Sequence, residues 1–251
     1  MTDSFYSRKA AAVTILCAAA ATVAGVAEPL RDKPRHRYSF DGTGKDGARI
    51  ADSVGTRHGT LAVQKGDSRL SGKGDLILNA GAWDAEVRFA PEVVTEYENF
   101  SLEFWFTPET SKYEWHIIFR LDNNQGKNGD YFWYTLRNYQ THRVEIADDG
   151  LNEHLQAKVE GFQRGKPVHL VVTYEATGGD DETPLVRWFA QGKLIAEKTL
   201  KTRLTDLDLT RLLLGPTHGR FDEFRVYDYP LTASEIRGNL RAGPDRIPLA
   251  K

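Results

Sequence analysis

Cysteine and methionine are almost absent from this chain of 251 residues, which has one of each. The single cysteine, Cys17, lies inside an apolar run near the N-terminus, so neither a disulfide framework nor thiol chemistry is open to the rest of the chain. A bacterial lipid anchor on Cys17 calls for a small residue just before it, and Leu16 stands there instead. A strongly apolar run of about 20 residues, the length a membrane helix needs, is also missing. Charge of one sign is lacking as well. The 33 Lys and Arg face 35 Asp and Glu, a formal net charge of -2, and the basic residues are spread rather than gathered in a stripe, which argues against a nucleic-acid partner. Hydrolase signatures are absent too. The seven His residues never form His-Glu-x-x-His, and no Gly-x-Ser-x-Gly elbow occurs.

What is present is material for one sizeable core, with 40% hydrophobic residues, 11% aromatics and 22 glycines, a balance that suits a β-rich extracytoplasmic chain. Arg8 and Lys9 precede an alanine-rich apolar run, Ala10 to Val23, that ends in Ala24-Gly25-Val26-Ala27. This is the pattern of a secretory signal peptide over residues 1–27, with cleavage expected after Ala27 and a destination in the periplasm or outside the cell. Residues 28–35 read as a polar lead-in and residues 241–251 as a tail.

Between them run short segments of period-two alternation, separated by Gly, Asp, Asn and Pro clusters. In Phe100–Thr107 the side chains of Phe100, Leu102, Phe104 and Phe106 share one face, and Ser101, Glu103, Trp105 and Thr107 the other, a separation only a strand produces. The same alternation recurs in Tyr113–Leu121, Asp130–Asn138, His142–Ala147, Val168–Glu175, Leu185–Gln191, Leu194–Leu200 and Phe221–Tyr227. Gly192-Lys193 reads as a tight connection, and Asp122–Gly129 and Thr177–Pro184 as longer hairpin loops, so consecutive strands are expected to be antiparallel. One helix is expected, over Thr232–Asn239, because Thr232-Ala-Ser-Glu235 is a capping box. The fold class is therefore all-β, with Phe40, Leu102, Phe104, Phe106, Leu170, Val172, Phe224 and Val226 in the core. His116 and His169 fall opposite the apolar positions and read as hydrogen-bonded surface histidines. Arg120, Arg187 and Arg225 fall on polar faces too, where they could pair with Glu103 or Glu223.

Four segments in order carry a family resemblance. They are His36-Arg-Tyr-Ser-Phe-Asp-Gly42 with Asp52-Ser-Val-Gly55 and His58-Gly59; Phe100–Phe106; Val168–Tyr174 continued by Val186–Lys193; and Gly219–Tyr227 with Tyr229–Ile236. Together they resemble the LamG-like jelly rolls of the concanavalin A-like lectin and glucanase superfamily, with Gln191 where the family's hairpin usually has Asn. The resemblance implies a two-sheet antiparallel jelly-roll sandwich over residues 36–240 with a short C-terminal helix. It also implies one structural calcium ion where the first and last strands run side by side, with Asp41 and Asp222 as the matching carboxylates. Carbonyls and waters would complete the six to eight oxygens that calcium takes. The alternative role for Asp222 is to accept backbone hydrogen bonds. The loop from Asp122 to Asp130 starts like an EF-hand but has Lys127 at the turn glycine and no closing acid, so it is not a metal loop.

Retaining glycosidases of this superfamily carry Glu-x-Asp-x-x-Glu on one strand, and no such string occurs, so no catalytic residue is assigned. Sugar binding needs aromatic faces with polar neighbours. Glu103 with Trp105 and Tyr131 with Trp133 supply that combination, and Trp83, Trp115 and Tyr113 lie near loop ends. Three functions stay open: a secreted non-catalytic module that binds a carbohydrate or an extracellular or cell-envelope protein; a glycan-cleaving enzyme using Glu103, Glu145 or Glu223; and a purely structural domain.

Overall fold

A computed structural model describes residues 33–79, 84–110, 116–138, 140–149 and 151–248. The leader at 1–27 and the aromatics Trp83, Tyr113 and Trp115 fall outside the described residues. The strands begin with β1 (His36–Tyr38), β2 (Thr43–Gly44), β3 (Arg49–Ile50), β4 (Gly59–Val63), β5 (Arg69–Ser71), β6 (Leu76–Asn79) and β7 (Ala85–Phe89). A single helical turn, α1 (Glu92–Thr95), leads to β8 (Phe100–Pro108), β9 (His116–Asp122), β10 (Tyr131–Leu136), β11 (Thr141–Asp148) and β12 (Leu151–Lys158). The chain closes with β13 (Val168–Glu175), β14 (Leu185–Ala190), β15 (Lys193–Thr199), β16 (Arg211–Leu214), β17 (His218–Tyr227) and α2 (Ala233–Ala242).

These strands form two antiparallel sheets. The first runs β15-β14-β13-β8-β17-β6-β5-β2 with β1 also paired to β17, and the second runs β12-β11-β10-β9-β16-β7-β4-β3. Every one of the eight residues expected in the core is buried between the sheets, as the alternation of β8 and β17 requires. Gln191 and Gly192 take φ of 50° and 74° between β14 and β15, the pair of positive angles a two-residue I′ hairpin turn needs, so the tight turn sits one residue before the Gly192-Lys193 pair expected for it.

Thr232 caps α2 through the expected capping box, but the helix passes through Gly238 and ends only where Gly243 takes a φ of 81°. Strand β12 was not visible as alternation because Leu155 is its sole fully buried residue. Strand β8 departs from the expected pattern in a different way: all nine of its residues are buried, including the polar row Ser101, Glu103 and Thr107. A second apolar cluster explains this. Val171, Phe189, Tyr227, Leu231 and Ile236 pack together on the outer face of the first sheet, where α2 covers it.

Candidate functional site

The four candidate ligand residues separate onto different sheets. Glu103 and Trp105 stand on the outer face of the first sheet, beneath α2 and the segment that follows it. Tyr131 and Trp133 stand on the outer face of the second.

Glu103 is closed off from solvent and serves as the hub of a buried polar network. His169 Nε2 donates to one of its oxygens at 2.8 Å, the Tyr227 hydroxyl donates to the other at 2.8 Å, and Arg225 pairs with it at 3.3 Å. The Arg225 guanidinium also binds Glu223 at 2.8 Å, lies 4.8 Å from the Trp105 ring centroid, and donates to the carbonyls of Pro244 and Arg246. Burial pushes the Glu103 carboxyl up, but the His169 bond and the charges of His169 and Arg225 outweigh it and hold the group below its usual value. Arg225, expected to pair with Glu103 or Glu223, pairs with both. Arg120 and Arg187 pair elsewhere, with Glu86 and with Glu175 and Glu197, because Arg120 lies on the other sheet and Arg187 two strands away from β8. His169 is buried rather than a surface histidine, since α2 and its flanks cover that face.

On the second sheet, the Tyr131 and Trp133 rings stack with centroids 4.0 Å apart. Trp133 remains partly exposed, and its Nε1 is a sheltered donor with no acceptor among the described residues. Strand register sets Glu145 opposite Trp133, Arg143 opposite Thr135, and His154 opposite Glu145. Glu145 is fixed by Thr135 at 3.1 Å and by Asn152 at 3.1 Å, and Asn152 also donates to the Tyr131 hydroxyl at 2.6 Å. The arrangement is a partly exposed Trp133 ring, backed by the buried Tyr131 and rimmed by hydrogen-bonded polar groups. Arg143, Asn152 and His154 were not singled out from the sequence; the spacing of Arg143 and Glu145 at i and i+2 was the available signal.

Asp41 and Asp222 both approach Gly74. Gly74 has a φ of 88°, and the point where a side chain at that position would begin lies 3.7 Å from Asp41 Oδ1, 3.9 Å from Asp222 Oδ1 and 4.0 Å from the Ser39 carbonyl. Three hard oxygens thus surround a point that a side chain at position 74 would occupy, and the positive φ there favours glycine. Burial, with the charges of Asp245, Asp75 and Glu223, pushes the Asp222 carboxyl up to about 6. No backbone amide among the described residues donates to it, and Arg220, whose charge acts the other way, is engaged by Glu109 at 2.7 Å. This donor set fits a hard divalent cation. Another carboxylate group, Asp130, Asp148 and Asp149, has oxygens within 4.8 Å of one another, but Asp130 is occupied as a backbone tether for Asp149 and Asp208.

Residues 79–237 match the family model described as the concanavalin A-like lectin/glucanases superfamily. The chain belongs to this superfamily. Among solved structures it is similar to the binding domain of botulinum neurotoxin serotype D/C VPI 5993, with TM-score 0.63 and 12% identity over 83% of this chain and 51% of that one. It is similar also to a botulinum neurotoxin type C structure, a toxin whose cell entry depends upon interaction with two ganglioside molecules (TM-score 0.61, 14% identity, 81% and 51% of the chains). A further match is the binding domain of botulinum neurotoxin DC in complex with rat synaptotagmin II (TM-score 0.59, 12% identity, 81% and 52%). The superfamily member described here spans about half the length of these chains, and the likeness is one of fold. No curated protein sequence matches it. Among the described residues no helix is long and apolar enough to cross a membrane.

Proposed function

We propose that this superfamily member is a secreted, non-catalytic binding module that recognises a carbohydrate through the outer face of the second sheet, around Trp133. The observation that carries this reading is the stacked Tyr131–Trp133 pair, in which Tyr131 is buried and backs a partly exposed Trp133 rimmed by Glu145, Asn152 and Arg143. An aromatic face with oriented donors and acceptors is what a pyranose ring and its hydroxyls require. Glu103 and Trp105 are assigned to holding α2 on the first sheet, since a group sealed beneath a helix cannot meet a polymer. The ganglioside and synaptotagmin contacts of the botulinum domains are consistent with a glycan or an extracellular protein as partner for this fold. The leader at 1–27 supports delivery outside the cytoplasm.

Asp41, Asp222 and the Ser39 carbonyl are the residues that would hold a structural calcium ion. The ion would neutralise the crowded carboxylates and fix the junction of β1 and β17. A glycan array probed with the mature chain and with Trp133→Ala tests the function. Specific signals that disappear in the variant support it, and an array silent for the folded native chain overturns it.

A further inference from the structure

The outer face of the second sheet is not charge-balanced along its length. In its middle, charges alternate and pair: Glu86 holds Arg120 at 2.7 Å, and Asp122 holds Arg211 at 2.6 Å. At the β10–β12 end beside Trp133 the pairing changes. Arg143 reaches Glu145 only at 3.5 Å, through Nη1, while its Nη2 binds the neutral Gln156 at 3.0 Å and its Nε is buried without a partner among the described residues, leaving the Nη edge of the guanidinium as its partly exposed end. Glu145 is meanwhile committed to Thr135 and Asn152. Other positive charge gathers at the same place. Burial first and then the Arg143 charge push the Arg137 guanidinium down, and burial with the charges of Arg143, Lys198 and Arg137, against that of Glu145, pushes the His154 imidazole down. Lys198 Nζ also reaches the His154 carbonyl at 3.4 Å. Arg137, Arg143 and Lys198 thus gather around His154, with Glu145 opposing them, beside the partly exposed Trp133.

We propose that the surface between Trp133 and Arg143 takes a carboxylate-bearing pyranose of an acidic polysaccharide, with the sugar ring against the Trp133 indole and the carboxylate on the Arg143 guanidinium. The inference rests on the reading that this face binds glycan. Arg143 and Trp133 lie on one face of adjacent strands in diagonal positions, since Arg143 is opposite Thr135 and Trp133 is opposite Glu145. Such a diagonal separates side chains by about 7–8 Å, within reach of long side chains. That spacing suits a stacked ring whose exocyclic group projects towards the neighbouring strand. Through Nη1 and Nη2, now on the long Glu145 contact and the neutral Gln156 amide, the planar guanidinium would exchange those partners for the two oxygens of a carboxylate, a pairing that a hydroxymethyl group on a neutral hexose does not offer. Glu145, whose oxygens also accept from Thr135 and Asn152, keeps only a 3.5 Å contact with Arg143, which an incoming carboxylate would replace.

The test compares a polygalacturonate with the same polymer after carboxyl reduction, titrated by calorimetry into the mature chain in the presence of calcium. The polyuronate should bind at least about tenfold more tightly, the scale expected for hydrogen bonds to a charged group. Arg143→Gln should erase that preference while the melting temperature stays near that of the native chain. Arg143→Lys should recover part of it, because the charge returns and the fork does not. Equal affinity for both polymers, or a preference that survives Arg143→Gln, overturns the acidic-sugar assignment. If Trp133→Ala still abolishes binding of both polymers, glycan recognition by this face stands without it. Dextran sulfate bound as tightly as the polyuronate by native and Arg143→Gln chains alike would mean general attraction to anions, which also overturns it. No binding of any polymer by the folded chain removes the glycan reading itself.

Discussion

Asn239 of the closing helix donates its side-chain amide to both carboxylate oxygens of Glu103, each at 3.0 Å. The contact joins the end of the chain to the centre of the first sheet. It completes a network in which His169, Tyr227 and Arg225 already converge on the same carboxylate, so α2 is held by polar complementarity as well as by the apolar cluster around Ile236.

Removing Glu103 should therefore be costly. Glu103→Gln removes the charge on which His169, Tyr227 and Arg225 converge, while Arg225 keeps Glu223 at 2.8 Å, so the loss should be about 1.5–3 kcal/mol, the scale of a hydrogen bond to a charged group. Chemical denaturation at neutral pH measures it.

The same residue gives the acid limb of stability a definite sign. Its folded pKa lies below the ordinary value of 4.5, so its contribution is fully present above about pH 4.5 and is lost as the pH falls further. Denaturation midpoints followed from pH 7 to pH 3 should fall more steeply below pH 4.5 for the native chain than for Glu103→Gln. Parallel curves would contradict the assignment.

Period-two alternation made the sandwich legible because most strands bury one face, and β8 and β17 show that face plainly as Phe104 and Phe224. Alternation says nothing about what covers the second face. Ser101, Glu103, Trp105 and His169 are chemically ordinary for a solvated surface, and only the packing of α2 and the Pro244–Arg246 segment turns them into an interior. Strand β12 escaped notice for the opposite reason, since Asn152, His154 and Gln156 are exposed and leave little apolar rhythm. The pairing of Tyr131 with Trp133 was readable as i and i+2 on one strand. Their setting beside Arg143 and Asn152 depends on β11 and β12 register, which a single sequence does not display.

Calcium should stabilise the fold through Asp41 and Asp222. An ion that binds only the folded chain adds about 2.7 kcal/mol at 100 times its dissociation constant. Thermal melting with calcium and with excess chelator should show the shift in the native chain and lose it in Asp222→Ala. A midpoint indifferent to calcium, or a full response kept by the variant, rules out this site.

The two tryptophans at 133 and 188 should separate binding from folding. Trp188 is fully buried in the main core, where its ring meets Tyr134 at 5.2 Å between centroids, so Trp188→Ala should cost about 3–5 kcal/mol of stability. Trp133 is partly exposed and packs chiefly on Tyr131, so Trp133→Ala should cost distinctly less stability. Its effect should instead appear in ligand affinity, as a loss of about 2 kcal/mol or more if it is a central anchor of the bound sugar. Urea denaturation of both variants, paired with titration of whichever glycan the native chain selects, distinguishes the roles. A Trp133→Ala chain that is as destabilised as Trp188→Ala, yet binds its glycan normally once folded, would place Trp133 in the scaffold and remove it from the site.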